Sequence, residues 1–321
     1  MNKFNTIIKK EIDAFNIQFA NTLSTKASLL HKVANYVNKN NGKQVRPIIV
    51  LIAAGLVNNL NERSYRGAIL IELLHTATLI HDDIVDDAHL RRSKLSVNTI
   101  WKNKIGVLAG DYFLAKGLSL ASKYKDYDIL EVISNVVEKI VEGELIQINK
   151  TKKLNLNEKD YFNIIELKTA SLFEASFKIG AISANASHEE IENLSKLGLI
   201  IGRLFQLQDD ILDYNTSLIS GKKYGNDIKE GKINLPLLYT LKKVNLIEKR
   251  IILNTLRSPV NRKKDIIQVI NLVTKYKGIE YTKQCMKIDY DVALTSLTDF
   301  PQNKYKTAIK LLLSFIVTRN K

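Results

Sequence analysis

Apolar positions recur along the chain at helical spacing, and no run alternates as a strand would. Residues 4 to 39 read as two amphipathic helices broken near Thr25. Asn40 to Pro47, NNGKQVRP, is a turn leading into a helix whose first turn suits Pro47. That helix, Ile48 to Leu60, is strongly apolar, and Asn61 to Ser64 forms the next loop. Residues 68 to 80, AILIELLHTATLI, are apolar nearly all round, which marks a buried helix. Ser93 to Asn98 is polar and reads as a loop, with helices following over 105 to 123 and 126 to 149. Lys150 to Asn157 is a connector, and Asn157 can cap a long helix running to about Ala186. Ser187 and Glu190 have capping-box spacing, and the helix they start ends in LFQLQDDILDY, Leu204 to Tyr214. Ser220 to Pro236 is a loop rich in Gly and Lys. The remainder reads as several shorter helices, with Arg257 to Lys264 as a connector. The pattern predicts an all-α chain of about a dozen helices, far above the usual helical share. With no repeat and no low-complexity boundary, residues 1 to 321 are expected to form one domain.

Composition supports this picture. Hydrophobic residues make up 45% of the chain, and only 4 prolines and 14 glycines interrupt it, which favours long helices. The net charge of +15 points to an anionic partner. The basic residues are mostly Lys and scattered, unlike the concentrated stripe of a nucleic-acid reader, so no nucleic-acid partner is expected. A single cysteine, Cys285, excludes an intramolecular disulfide and fits a reducing compartment. The opening residues MNKFNTIIKKEIDAF lack the apolar core of a signal peptide, and no segment is long and apolar enough to span a membrane. The expected location is cytoplasmic, with at most peripheral membrane contact.

The buried helix ends in chemistry that needs a partner. Its last turns run HDDIVDDAHLRR, with four aspartates and two arginines. Asp82 and Asp86 lie one turn apart on one face, Asp83 is beside them, and His75 is two turns earlier on roughly the same face. A buried helix cannot end in so many carboxylates without compensation, and the simplest compensator is a hard divalent cation such as Mg²⁺. Asp209, Asp210 and Asp213 repeat the D-D-x-x-D spacing, again at the end of an apolar helix, and with Gln206 fall on one face. Two such clusters can clamp a diphosphate through metal. Lys43, Arg46, Arg91, Arg92, Lys168, Lys222 and Lys232 stand at helix ends and loops, where a second diphosphate can be held by direct cations. Thr169 interrupts an apolar run beside Lys168. His81 and His89 read as structural, and Trp101 and Tyr214 as packing residues.

The motifs GKQVRP, HTATLIHDDIVDDAHLRR, GDYFLAKG, KTASLFEAS, FQLQDDILDY and GKKYGNDIKEGKINLPLL together resemble the trans-isoprenyl diphosphate synthase (polyprenyl synthetase) family. The resemblance is densest from about residue 40 to about residue 240. It implies a single all-α helical bundle around a central cavity, with the aspartate motifs facing across its mouth, and a homodimer. It also implies that Asp82, Asp86 and Asp209 bind three Mg²⁺ ions holding an allylic diphosphate, which Arg91, Lys168, Lys222 and Lys232 also contact. Lys43, Arg46, His75 and Arg92 would hold isopentenyl diphosphate, and Thr169 and Gln206 would line the reacting centre. Asp82, Asp86, Asp209 and Lys168 would carry catalysis. The family's usual GGKRxRP stands here as NGKQVRP and its RRGK as RRSK, and neither change removes a matched ligand.

Product length follows from the same helix. A growing tail runs beside the turns before Asp82, where Ala77 and Thr78 lie about 6 to 7.5 Å below it. Both are small, so the tail can pass, and a product of about C30 to C50, best matched by about C40, is expected, as for a respiratory-quinone side chain. Long-chain members of the family resemble HTATL here, whereas short-chain members carry aromatics. A terpene cyclase or head-to-head synthase would not need Lys43, Arg46 and Arg92, and a non-catalytic partner subunit would have lost aspartates. A short-chain synthase and a heteromeric subunit are the alternatives carried forward.

Overall fold

The computed structural model describes residues 3–40, 42–92, 94–215, 225–257 and 263–319. The helices are α1 (Lys3–Ile7), α2 (Lys9–Thr22), α3 (Ser28–Lys39), α4 (Val45–Val57), α5 (Glu62–Val85), α6 (Val97–Lys123) and α7 (Tyr127–Lys153). After them come α8 (Glu158–Ile165), a π-helical turn (Glu166–Ala170), α9 (Ser171–Ser183), α10 (His188–Asp213), α11 (Asn226–Lys229) and α12 (Leu235–Leu241). The chain continues through α13 (Leu246–Arg257), α14 (Lys263–Lys275), α15 (Gly278–Ser296) and α16 (Lys304–Thr318). The all-α expectation holds. Two strands of two residues each, β1 (Leu90–Arg91) and β2 (Lys94–Leu95), are the exception among the described residues.

Two compact units emerge. The first comprises Met1–Asn135, Leu172–Ser195 and Phe300–Ile309, and the second Val136–Ser171, Lys196–Asp299 and Lys310–Lys321. In the first, α4 and α6 pack along α5. Every residue of α4 from Pro47 to Leu56 is buried, as its unbroken apolar run demands. Asn61 caps α5, accepting from the Ser64 N–H at 3.1 Å, so the loop read at Asn61–Ser64 is already the capping turn. α6 comes close to α5 at Gly117, where a Cβ would lie 2.7 Å from Leu70 Cδ1 and push that side chain aside. Asp126, buried at the next helix start, is held by Arg66 at 2.7 Å and by Arg63 at 3.1 Å.

Beyond α5 the expected loop is a tight antiparallel hairpin pairing Leu90 with Leu95 and Arg91 with Lys94. Arg92 turns it with a positive φ of 51°. The hairpin is closed by the Ser96 hydroxyl, which donates to the Ala88 carbonyl at 2.7 Å. Helix α6 starts at Val97, earlier than the apolar pattern indicates, because a non-helical Lys102 (φ 72°) kinks it and breaks its periodicity.

In the second unit α12 packs along α15. Asn157 caps α8 and, in the first unit, Ser187 exchanges capping-box bonds with Glu190, both as predicted. The helix begun at Asn157 is not regular throughout, since Glu166–Ala170 inserts a π turn. Such turns re-aim side chains and recur at functional sites. Arg203 of α10 steadies it by bonding Glu166 at 3.0 Å and Asp289 at 3.1 Å.

Candidate active site

In the first unit the site begins at the turn before α4. Gln44 adopts a left-handed conformation (φ 47°), which places Arg46 in the first helical turn. The Arg46 guanidinium lies 4.9 Å over the Phe173 ring and 3.0 Å from His75 Nε2. A guanidinium can only donate, so Nε2 accepts and His75 is neutral. Burial holds its pKa well below the ordinary range, and Arg46, Arg92 and Arg91 push the same way. One turn earlier Glu72 is 5% exposed. Burial raises its pKa to about 7, against the pull of Arg46 and Arg92. The Arg92 guanidinium lies against Gly42, so a side chain there would have to displace it. His75, Glu72, Thr76, Asp83, Arg91 and Arg92 line a cavity of about 70 Å³. The predicted isopentenyl-diphosphate residues Arg46, His75 and Arg92 therefore do converge, while Lys43 stands exposed in the turn.

The first acidic cluster divides by burial. Asp82 is half-buried and Asp86, which caps the end of α5, is exposed. Asp83, 3% exposed, accepts from Arg91 Nε at 2.7 Å. Asp83 thus anchors the hairpin, and Arg91 is committed to it in this state. Ala77 is buried, and the half-buried Thr78 donates its hydroxyl to the His75 carbonyl at 2.9 Å. His81 lies 3.3 Å from the Val107 carbonyl and 3.5 Å from Asp111, a structural position.

In the second unit Lys168, Thr169, Gln206, Asp210, Asp227 and Lys232 line a cavity of about 180 Å³. The π turn presents Lys168 and Thr169 in succession. Lys168 donates to Gln147 at 2.9 Å and pairs with Glu144. Thr169 donates to Gln206 at 3.0 Å, and Gln206 donates to Asp210 at 2.9 Å. The Tyr161 hydroxyl (2.6 Å) and the Leu235 N–H (3.2 Å) bond the other Asp210 oxygen. Burial, with Asp227 nearby, raises Asp210 to about 7. Asp213 accepts the N–H groups of Asn226 (2.8 Å) and Asp227 (3.2 Å). Burial and Asp227 raise it to about 6. Asp227 is itself raised by burial and receives a bond from Asn234 at 2.8 Å. Lys232 pairs with Glu230 at 2.7 Å. Lys222 lies outside the described residues.

This corrects the reading of Gln206, Asp209, Asp210 and Asp213 as one acidic face. Successive helical residues diverge by about 100°. Gln206 and Asp210 point into the cavity and bond each other, whereas Asp209 is absent from its lining and pairs with Arg319 at 2.6 Å. Sequence reasoning also passed over Glu72, Tyr161, Asp227 and Arg319. Glu72 was visible as the lone acid within an apolar run, and Asp227 as an acid within the Lys- and Gly-rich loop. Tyr161 and Arg319 carry no local signal, since their partners are distant in sequence.

Among the described residues no three Asp, Glu, His or Cys side chains converge as a preformed metal cage. Solvent-reaching carboxylates at Asp82, Asp86 and Asp209 still suit Mg²⁺, which takes one or two carboxylates and completes its shell with water and substrate phosphates.

The family model described as Polyprenyl synthetase matches residues 27–273. The chain is 31% identical to the octaprenyl diphosphate synthase of Escherichia coli (strain K12), covering 100% of this chain and 99% of that one. It is 30% identical to the geranylgeranyl diphosphate synthase of Saccharolobus solfataricus, over 99% of this chain and 97% of the relative. Among solved structures, a polyprenyl synthase from Caulobacter crescentus CB15, complexed with calcium and isoprenyl diphosphate, superposes with a TM-score of 0.93 at 30% identity, covering 99% of this chain and 97% of that one.

Proposed function

The chain belongs to the polyprenyl synthetase family and is a prenyltransferase, and from that premise we propose that it extends an allylic diphosphate primer with isopentenyl diphosphate to a long all-trans product. The observation that carries the reading is the pair of cavities, each built beside an aspartate-ended helix and each lined by its own cations, Arg91 and Arg92 in one and Lys168 and Lys232 in the other. In this reading Asp82, Asp86 and Asp209 hold Mg²⁺, three ions in all. Bound there, Mg²⁺ supplies charge neutralisation for the departing pyrophosphate.

The chain's own residues do the rest. Arg46, His75 and Arg92, with Lys43 at the turn, hold isopentenyl diphosphate. Neutral His75 contributes a fixed dipole rather than a charge, and the Arg46 bond sets its tautomer. Lys168, Lys232, Arg91 and Lys222 are assigned to the allylic diphosphate, and Thr169 and Gln206 to the reacting carbons. The C1–O bond of the primer breaks, and the double bond of isopentenyl diphosphate attacks the allylic cation. A proton on the adjacent carbon then passes to pyrophosphate. Fixing both diphosphates supplies the orientation effect, and the buried walls exclude water that would quench the cation.

Small Ala77 and Thr78 support a long product of about C30 to C50, with about C40 as the best match, from their depth below Asp82. Such a chain suits a quinone side chain and would leave through peripheral membrane contact. Val107, Leu108 and Leu118 of α6 are exposed apolar side chains, which supports a homodimer. A lone cysteine, and no described helix long and apolar enough to cross a membrane, support a cytoplasmic location. The test is chromatography of products from the purified chain with Mg²⁺, an allylic primer and isopentenyl diphosphate. A single C15 or C20 product would overturn the long-chain reading, and no product would point to a missing partner subunit.

A further inference from the structure

The residue that follows α16 reaches the second aspartate motif. Arg319 Nη2 donates to Asp209 Oδ1 at 2.6 Å and to the Phe205 carbonyl at 2.9 Å. Its guanidinium carbon lies 3.9 Å above the Phe205 ring. The backbone is tied at the same point, because Gln208 Nε2 donates to the Arg319 carbonyl at 2.8 Å. The Arg319 side chain is 9% exposed, whereas that of Asp209 remains 45% exposed. A rigid, buried cation therefore grips one oxygen of a carboxylate that still reaches solvent. The other acids of the motif are immobilised differently, Asp210 by Tyr161 and Leu235 and Asp213 by backbone N–H groups.

The geometry points to Arg319 as a positioning residue that fixes the rotamer of Asp209 so that its carboxylate is presented for Mg²⁺. The inference rests on the proposed role of Asp209 as a metal ligand. Mg²⁺ demands near-ideal octahedral geometry and binds carboxylates through a single oxygen, so a carboxylate held by a planar guanidinium is already arranged for it. Partners that orient a ligand typically matter about 10- to 100-fold in metal affinity. Arg319 also offsets part of the charge of a motif that gathers Asp209, Asp210, Asp213 and Asp227.

The experiment is calorimetric titration of Mg²⁺ into the full chain with saturating inorganic pyrophosphate, for the wild type and for Arg319→Ala, Arg319→Lys, Asp209→Asn and the Asp209→Asn/Arg319→Ala pair. Arg319→Ala is expected to weaken Mg²⁺ binding about 10- to 100-fold, and Arg319→Lys to recover part of the loss, because it keeps charge but not the fork. The double variant should bind no worse than Asp209→Asn, since both changes act through one carboxylate. Thermal unfolding without Mg²⁺ reports any purely structural loss, and Arg319→Lys carries the test if Arg319→Ala does not fold. If Asp209→Asn weakens Mg²⁺ binding while neither Arg319 variant does, the positioning role is overturned. If Asp209→Asn leaves binding unchanged, the ligand assignment fails first. If the double variant loses the sum of the single losses, Arg319 acts independently of Asp209 and the inference is wrong.

Discussion

Replacing Gly42 with alanine should separate substrate affinity from stability at one position. Gly42 precedes Lys43 in the turn before α4, and the Arg92 guanidinium lies against it. A Cβ there would stand 2.2 Å from Arg92 Nη1 and 2.3 Å from its Cζ, where ordinary contact begins at 3.4 Å, so the guanidinium must retreat by about 1 Å. The obstacle is the far end of a flexible side chain, and Gly42 is not among the positive-φ glycines, so the backbone accepts alanine. Stability should hold or rise slightly, by up to about 1 kcal/mol, because alanine restricts the unfolded chain. Binding should not hold. At an effective dielectric of about 20, moving a charge pair from about 4 to about 5 Å costs about 0.8 kcal/mol, or ~4-fold in affinity per phosphate charge faced. Gly42→Ala should therefore raise the Kd for isopentenyl diphosphate about 4- to 20-fold, while the KM for the allylic primer and the melting temperature stay near wild type. Calorimetry of isopentenyl diphosphate binding, with thermal unfolding alongside, measures both. An unchanged Kd would remove Arg92 from the diphosphate site, and an equal loss for both substrates would mean a general distortion.

Three further outcomes are expected. Asp82→Ala should cut condensation by at least about 100-fold with an unchanged helical circular dichroism spectrum, and near-normal turnover would sink the proposed scheme. Thr78→Phe should shorten the product seen on chromatography, as should Ala77→Phe, although the buried Ala77 site adds about 1 to 3 kcal/mol of overpacking that unfolding will register. Glu72, raised to about 7 in the folded chain, binds its proton more tightly folded than unfolded, so its contribution to stability is greatest at low pH and is lost as pH rises toward about 7. Glu72→Gln lacks this loss, so its stability relative to wild type should improve by about 2 to 3 kcal/mol between about pH 5 and pH 8 in urea unfolding. Parallel pH profiles for the two proteins would refute the assignment.

The legible parts of the molecule were local. The Asn157 and Ser187 caps depend on bonds three residues apart, and both stand as read. The ends of α6 and of the helix begun at Asn157 were less legible, because a kink at Lys102 and a π turn at Glu166–Ala170 are imposed by packing. The hairpin Leu90–Leu95 was missed because two residues per strand are too few to alternate. At the site, the spacing of Asp82 and Asp86 and the convergence of Arg46 with His75 could be anticipated from the helix repeat and the motif. The donors that hold Asp83, Asp210 and Asp213 could not.

What the chain determines by itself is the helical period, the burial of α4 and α5, and the placement of paired carboxylates at the ends of apolar helices, because each follows from residues a few positions apart. The tertiary structure alone decided which carboxylates are buried and which distant donors reach them. Asp83 and Asp210 are buried and answered by Arg91 and by Tyr161 and Leu235, while Asp82 and Asp86 reach solvent and Asp209 is steadied by Arg319, 110 residues away. A carboxylate's role is set by the donors that the fold brings to it, and those donors come from segments that no local spacing connects.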